Sequence, residues 1–138
     1  MNYLLDTNIL SELRKPKPDK KVISFVSGIK ASNIFISCIS VGEVQKGISS
    51  CPNAKLKKEL EHWLEIYLIG ELGRQVLSID NEVMLKWGKL VSAIKNLPII
   101  DSLIAATCVT HGLVLVTRNV KDFDKIKELT VINPFIIT

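Results

Sequence analysis

Short apolar runs alternate along this chain with longer stretches in which apolar residues recur every three or four positions. The runs at residues 2–5, 34–37, 75–78, 113–116 and 130–132 show little polar alternation. Strands of that kind are covered on both faces, as in a parallel sheet between helix layers. Between them, residues 7–13 read as a short helix, ended by Pro16-Lys17-Pro18-Asp19. Residues 20–29 place Val22, Ile23, Val26 and Ile29 on one helical face, and residues 55–68 align Leu56, Leu60, Trp63, Leu64 and Tyr67. The design repeats over 81–95 with Val83, Trp87, Leu90 and Ile94. Residues 101–111 are apolar nearly all round, which predicts a central helix that Gly112 is placed to cap.

Strands alternating with helices predict an α/β fold: a three-layer α/β/α domain around a parallel sheet of 4–5 short strands. No repeat, low-complexity tract or linker divides the chain, so residues 1–138 are expected to form a single domain. That length buries a core without staples.

Composition adds less than pattern does. The chain is 47% hydrophobic and 23% charged, with a formal net charge of +4 that weakly favours a polyanionic partner. The excess is local, because Arg14, Lys15, Lys17, Lys20 and Lys21 are opposed only by Asp19. Cys38, Cys51 and Cys108 lack the pairing of a zinc site or a disulfide framework, and they are expected to be reduced thiols in a cytosolic protein, two of them buried. The start lacks the basic segment of a signal peptide, and the longest apolar tract, 97–109, is too short for a membrane helix and carries Asp101.

The informative positions are three acids. Asp6 ends the first strand-like run, Glu43 stands at a predicted helix start after the second, and Asp101 heads the central helix. In open α/β sheets ligands bind outside the carboxyl ends of the strands. Adjacent first, second and fourth strands would bring the three together. Close carboxylates repel, and a hard divalent ion with oxygen ligands, Mg²⁺ or Mn²⁺, relieves that repulsion. Such an ion activates water against a phosphodiester, with no need for histidine or lysine.

Each acid also has a purely structural explanation. Asp6 fits a helix N-cap, Ser40-Val41-Gly42-Glu43 matches a capping box with Ser40 as cap, and Asp101 suits a helix's first turn. Three acids in equivalent positions of one sheet topology shift the balance towards chemistry. Rival phosphoryl-transfer designs fit less well: Asn8 stands where a strand-end aspartyl phosphatase needs its second Asp, and no P-loop occurs.

Three segments, Leu4-Leu5-Asp6-Thr7-Asn8-Ile9-Leu10, Ile39-Ser40-Val41-Gly42-Glu43-Val44 and Asp101-Ser102-Leu103-Ile104-Ala105-Ala106-Thr107, resemble the PIN-domain ribonucleases, above all the VapC toxins of toxin–antitoxin pairs. Val116-Thr117-Arg118-Asn119-Val120-Lys121-Asp122-Phe123 and Asn133-Pro134-Phe135 extend the likeness. The resemblance implies a Mg²⁺- or Mn²⁺-dependent endoribonuclease acting on RNA, a homodimer, held inactive by a VapB-type antitoxin. It implies Asp6 and Asp101 as principal metal ligands and Glu43 as the third acid. Family members often carry a fourth acid where this chain has Asn119, and Asp122 compensates if its loop turns inward. The rival expectation is a non-catalytic RNA- or protein-binding PIN module whose site is weakened at Asn119.

Around the acids, Thr7, Asn8 and Thr117 are expected to orient ligands and water, with Asn119 and Asp122 as auxiliaries. Gly42 and Gly47, beside Glu43, suggest close packing or room for substrate. Arg14, Lys15, Lys17 and Lys46 are candidates for contacts with RNA phosphates. His62 and His111 have no catalytic partner in the sequence pattern.

Overall fold

The computed structural model describes residues 1–136, so the last two positions of the expected domain lie outside the described residues. Five short strands, β1 (Tyr3–Leu5), β2 (Ile34–Ser37), β3 (Val76–Leu77), β4 (Val114–Val116) and β5 (Val131–Ile132), form one parallel sheet in the order β3-β2-β1-β4-β5. The first strand therefore lies between the second and the fourth, with Tyr3 opposite both Ile34 and Val114.

Successive residues of the central strands point to opposite layers. Leu4 and Leu115 enter a core with Val83, Leu90, Ile104 and Ala105, from α5 (Asn81–Ala93) and α6 (Ile99–His111). Leu5, Ile36 and Val116 enter a second core. Its helices are α1 (Thr7–Leu13), α2 (Lys20–Ser27), α3 (Cys38–Ser49) and α4 (Ala54–Trp63). That is the expected three-layer arrangement. Gly112 ends α6 in the left-handed conformation, φ 66°, as the sequence pattern anticipates.

Several local expectations are corrected. Ser40 is not a helix cap: α3 begins at Cys38, and Ser37 is the cap, its hydroxyl accepting from the Ile39 N–H at 3.1 Å. Glu43 thus lies in the second turn of α3, not at its start. Asp101 is the third residue of α6, because Pro98 opens that helix two residues earlier than the apolar pattern indicates. The helix predicted over 55–68 is α4 followed by a wider π-helical segment, Leu64–Glu71. The wider winding keeps Leu64 and Leu68 in the core but turns Tyr67 outward to 50% exposure. Of the cysteines, only Cys108 is buried, where burial and then the charge of Asp6 push its thiol upward in pKa; Cys38 and Cys51 are half-buried. No helix among the described residues is long and apolar enough to cross a membrane.

Candidate active site

Asp6 follows β1 directly and is tied to the sheet by its own N–H, which donates to the Val116 carbonyl at 2.9 Å. It is also the N-cap of α1, its Oδ1 accepting from the Thr7 N–H at 2.8 Å. The structural explanation of Asp6 as a helix cap is therefore met, and it uses only one of the two carboxylate oxygens. Its other oxygen accepts from the Thr117 hydroxyl at 2.8 Å and faces the Asn8 side-chain amide at 3.4 Å. Thr117, fully buried at the end of β4, also accepts from Asn8 Nδ2 at 3.1 Å and from the Asn119 N–H at 3.1 Å. The predicted trio of Thr7, Asn8 and Thr117 is one hydrogen-bonded frame around a single carboxylate.

Glu43 joins that frame through Thr7. The Thr7 hydroxyl lies 2.6 Å from Glu43 Oε1 and 2.8 Å from Ser40 Oγ. A hydroxyl has one proton, which goes to the carboxylate, so Ser40 donates to Thr7 in turn. Ser40 is fully buried one turn before Glu43. Its role in this relay is one that the capping-box pattern concealed.

Asp101 and Asp122 complete the cluster without such bonds. Burial, then the charges of Asp122, Asp6 and Glu43, hold the Asp101 carboxyl above its ordinary range. Asp6 is raised too, chiefly by burial, with Thr117 and the Thr7 N–H opposing and with Glu43 and Asp122 adding repulsion. Asp122 sits in the 3-10 turn Val120–Phe123, exposed to solvent, and its charge acts on both Asp6 and Asp101. The Asn119 side chain is exposed and makes no hydrogen bond among the described residues; its backbone serves the site, the N–H donating to Thr117 and the carbonyl accepting from the Asp122 N–H at 3.1 Å.

All of these ligand atoms are oxygens, and burial together with neighbouring carboxylates raises the pKa of both Asp6 and Asp101. That set fits a hard divalent cation, which relieves both costs. Among the described residues no three acidic, cysteine or histidine side chains yet converge tightly enough to cage an ion. Mg²⁺ tolerates this, because it keeps several waters and needs only one or two carboxylates besides.

The basic candidates divide. Arg14 lines a cleft of about 370 Å³ that runs from Thr7 and Glu43 past Gly47 to Trp63. Lys46 lines a second cleft on the other side of Glu43. Lys15, in contrast, is engaged with Glu12 at 2.9 Å, and Lys17 is simply exposed. Added side-chain atoms at Gly42 or Gly47 would meet nothing within 4 Å, so these glycines open the clefts and are not required by packing. His62 and His111 are exposed, with no hydrogen-bonded catalytic partner.

Residues 3–129 match the PIN domain model. The chain belongs to the PIN-domain family. Similar proteins include the VapC ribonuclease Y4jK of Sinorhizobium fredii, 30% identical over 96% of both chains. Toxin FitB of Neisseria gonorrhoeae is 29% identical over 96% of this chain and 97% of its own. Among solved structures, FitAcB from Neisseria gonorrhoeae superposes with a TM-score of 0.90 at 28% identity, covering 98% of this PIN domain and 99% of that chain. VapBC2 from Rickettsia felis, bound to a promoter DNA fragment, gives 0.76 at 26% identity, covering 96% and 98%.

Proposed function

We propose that this PIN domain is the endoribonuclease toxin of a toxin–antitoxin pair, hydrolysing RNA phosphodiester bonds with Mg²⁺ or Mn²⁺. The observation that supports the reading is the hydrogen-bonded frame at the carboxyl edge of the sheet, in which Thr7 bonds both Asp6 and Glu43 and Thr117 holds Asp6, with the charges of Asp6, Glu43 and Asp122 all acting on Asp101. Relatives named as ribonucleases and toxins support it. When bound, the ion supplies an activated water and offsets charge on the phosphoryl and leaving oxygens.

The chain's own groups have separable roles in this reading. Asp6 and Asp101 are the principal ligands, and Asp6 is kept in one rotamer by the Thr7 N–H and Thr117. Glu43, oriented by Thr7, is the third acid and faces the cleft in which RNA would lie. Asp122 supplies the charge that Asn119 does not. Arg14 and Lys46, beside Glu43 on two clefts, contact phosphates, whereas Lys15 is committed to Glu12.

A VapB-type antitoxin is the proposed partner. An apolar cleft of about 520 Å³ lined by Leu10, Leu13, Ile23, Trp63, Tyr67 and Leu72 offers room for an apolar segment of it. Exposed Leu85, Ile99 and Ile100 provide apolar surface for the proposed homodimer. The reading places the protein in the cytosol, with its RNA.

A fluorogenic RNA assay with Mg²⁺, Mn²⁺ and EDTA arms tests the function. Divalent-dependent turnover, absent in Asp101→Asn, is expected. Binding of RNA with no divalent-dependent turnover would establish instead the non-catalytic module.

A further inference from the structure

Arg118 was not singled out by the sequence pattern, yet its setting differs from that of every other cation near the site. It directly follows Thr117, whose hydroxyl holds Asp6. Its N–H donates to Asn8 Oδ1 at 3.0 Å, and its carbonyl accepts from Asn133 Nδ2 at 3.4 Å. The backbone of this exposed residue is thus pinned from two sides.

The side chain is braced as well. The guanidinium carbon lies 4.6 Å from the centroid of the Phe135 ring, a cation–π contact, and Phe135 itself packs against the second core. Asn133 fixes that ring's approach, its Oδ1 accepting from the Phe135 N–H at 3.0 Å. The charge of Arg118 acts weakly on Glu12, which is already occupied by Lys15 Nζ at 2.9 Å and by the Asp19 N–H at 2.9 Å. Among the described residues Arg118 forms no ion pair. Its fork of donors is left for something outside the chain.

From this setting we propose that Arg118 is an RNA-binding residue that holds a backbone phosphate flanking the scissile one. The proposal rests on the ribonuclease reading above. The chemistry favours phosphate: a planar guanidinium presents paired N–H donors that match phosphate oxygens, and stacking on a ring leaves its edge free while limiting the rotamers to be frozen on binding. The contact is to a flanking nucleotide, because the guanidinium is held over the Phe135 ring and pairs with none of the acids of the site among the described residues. It therefore acts on substrate affinity and leaves the chemical step alone. Phe135 is the positioning residue for this contact.

The test uses the full chain and a labelled pool of random-sequence single-stranded oligoribonucleotides. Binding is followed by anisotropy against salt in an Asp101→Asn background, and cleavage of the same pool is followed with Asp101 intact. Arg118→Ala is expected to weaken binding about tenfold, to lower the slope of log Kd against log salt by about 0.7, as for one lost phosphate contact on a single strand, and to raise KM with kcat within about twofold. Arg118→Lys should restore the salt slope but only part of the affinity, since it keeps charge and loses fork and stacking. Phe135→Leu should reproduce part of the KM effect with the salt slope intact.

Unchanged affinity and salt slope in Arg118→Ala would overturn the proposal. A fall in kcat with KM unchanged would also overturn it, as would weakened capture of the antitoxin alone, which would assign the surface to protein. The ribonuclease reading fails separately, if Asp101→Asn cleaves as well as the parent chain.

Discussion

The two halves of the acid cluster are built in different ways. On one side Asp6 and Glu43 are locked by hydrogen bonds: Asp6 by the Thr7 N–H and Thr117, Glu43 by a hydroxyl relay from Ser40 through Thr7. On the other side Asp101 and Asp122 have no side-chain hydrogen bonds among the described residues and are related only by repulsion, Asp122 being the largest charge acting on Asp101. The first half is organised before any ligand arrives. The second has a reason to rearrange around a cation, because a divalent charge removes the repulsion that holds its carboxylates apart.

The largest expected effect ignores that difference. Asp6→Asn and Asp101→Asn each nearly abolish divalent-dependent RNA cleavage, because either change removes a charged ligand; substantial turnover in one of them would confine the metal to the other half. The next prediction separates the halves. Thr117→Val removes a hydroxyl shared by Asp6, Asn8 and Asn119 and should lower kcat/KM roughly 10–100-fold, the range for groups that orient metal ligands. Ser40→Ala, one hydroxyl further from Glu43, should cost less than Thr117→Val in the same assay. Equal losses would mean that the relay matters as much as the direct bond.

Asp122→Asn probes the unbonded half. Activity should fall about tenfold at low Mg²⁺, a loss that saturating metal reduces because the lost charge mainly recruits the ion. Removing this charge lowers the raised pKa of Asp101, so the acid limb of the pH–rate profile should move to lower pH. An unmoved limb would place Asp122 away from the ligand.

The smallest effect is on stability. Asp6 and Asp101 both have folded pKa values raised above the ordinary 3.8. Their contribution to stability is therefore complete below that value and is lost as pH rises through the raised values. In EDTA, melting should show Asp6→Asn gaining on the parent chain as pH rises from about 4 to 7, and Mg²⁺ should narrow the gap. A gap that shrinks with pH in EDTA would reverse the sign of the burial argument.

Much of this was legible in the sequence because burial leaves a strong pattern. The non-alternating runs that become β1, β2 and β4 are apolar on both sides because the sheet lies between helix layers, and the helix that becomes α6 is apolar nearly all round because it shares one core with both the sheet and α5. The register of capping residues was not legible. Ser37 and Ser40 offer the same hydroxyl, and only the end of β2 decides that Ser37 caps the helix while Ser40 turns inward to Thr7. The π segment was hidden because Leu64 and Leu68 keep helical spacing whichever winding carries Tyr67. Charge was the least readable feature. Lys15 looks like a phosphate contact in the basic run but is paired with Glu12, whereas Arg118 gains its setting from Asn8, Asn133 and Phe135, all distant along the chain except through folding.

Calorimetric titration of the chain with Mn²⁺ addresses the central claim most directly, because it reads the cation site without needing the RNA target. Saturable binding is expected in the parent chain, lost in Asp6→Asn and in Asp101→Asn and weakened in Asp122→Asn. Binding that is the same in all four proteins would show that the converging acids do not form a metal site and would contradict the account.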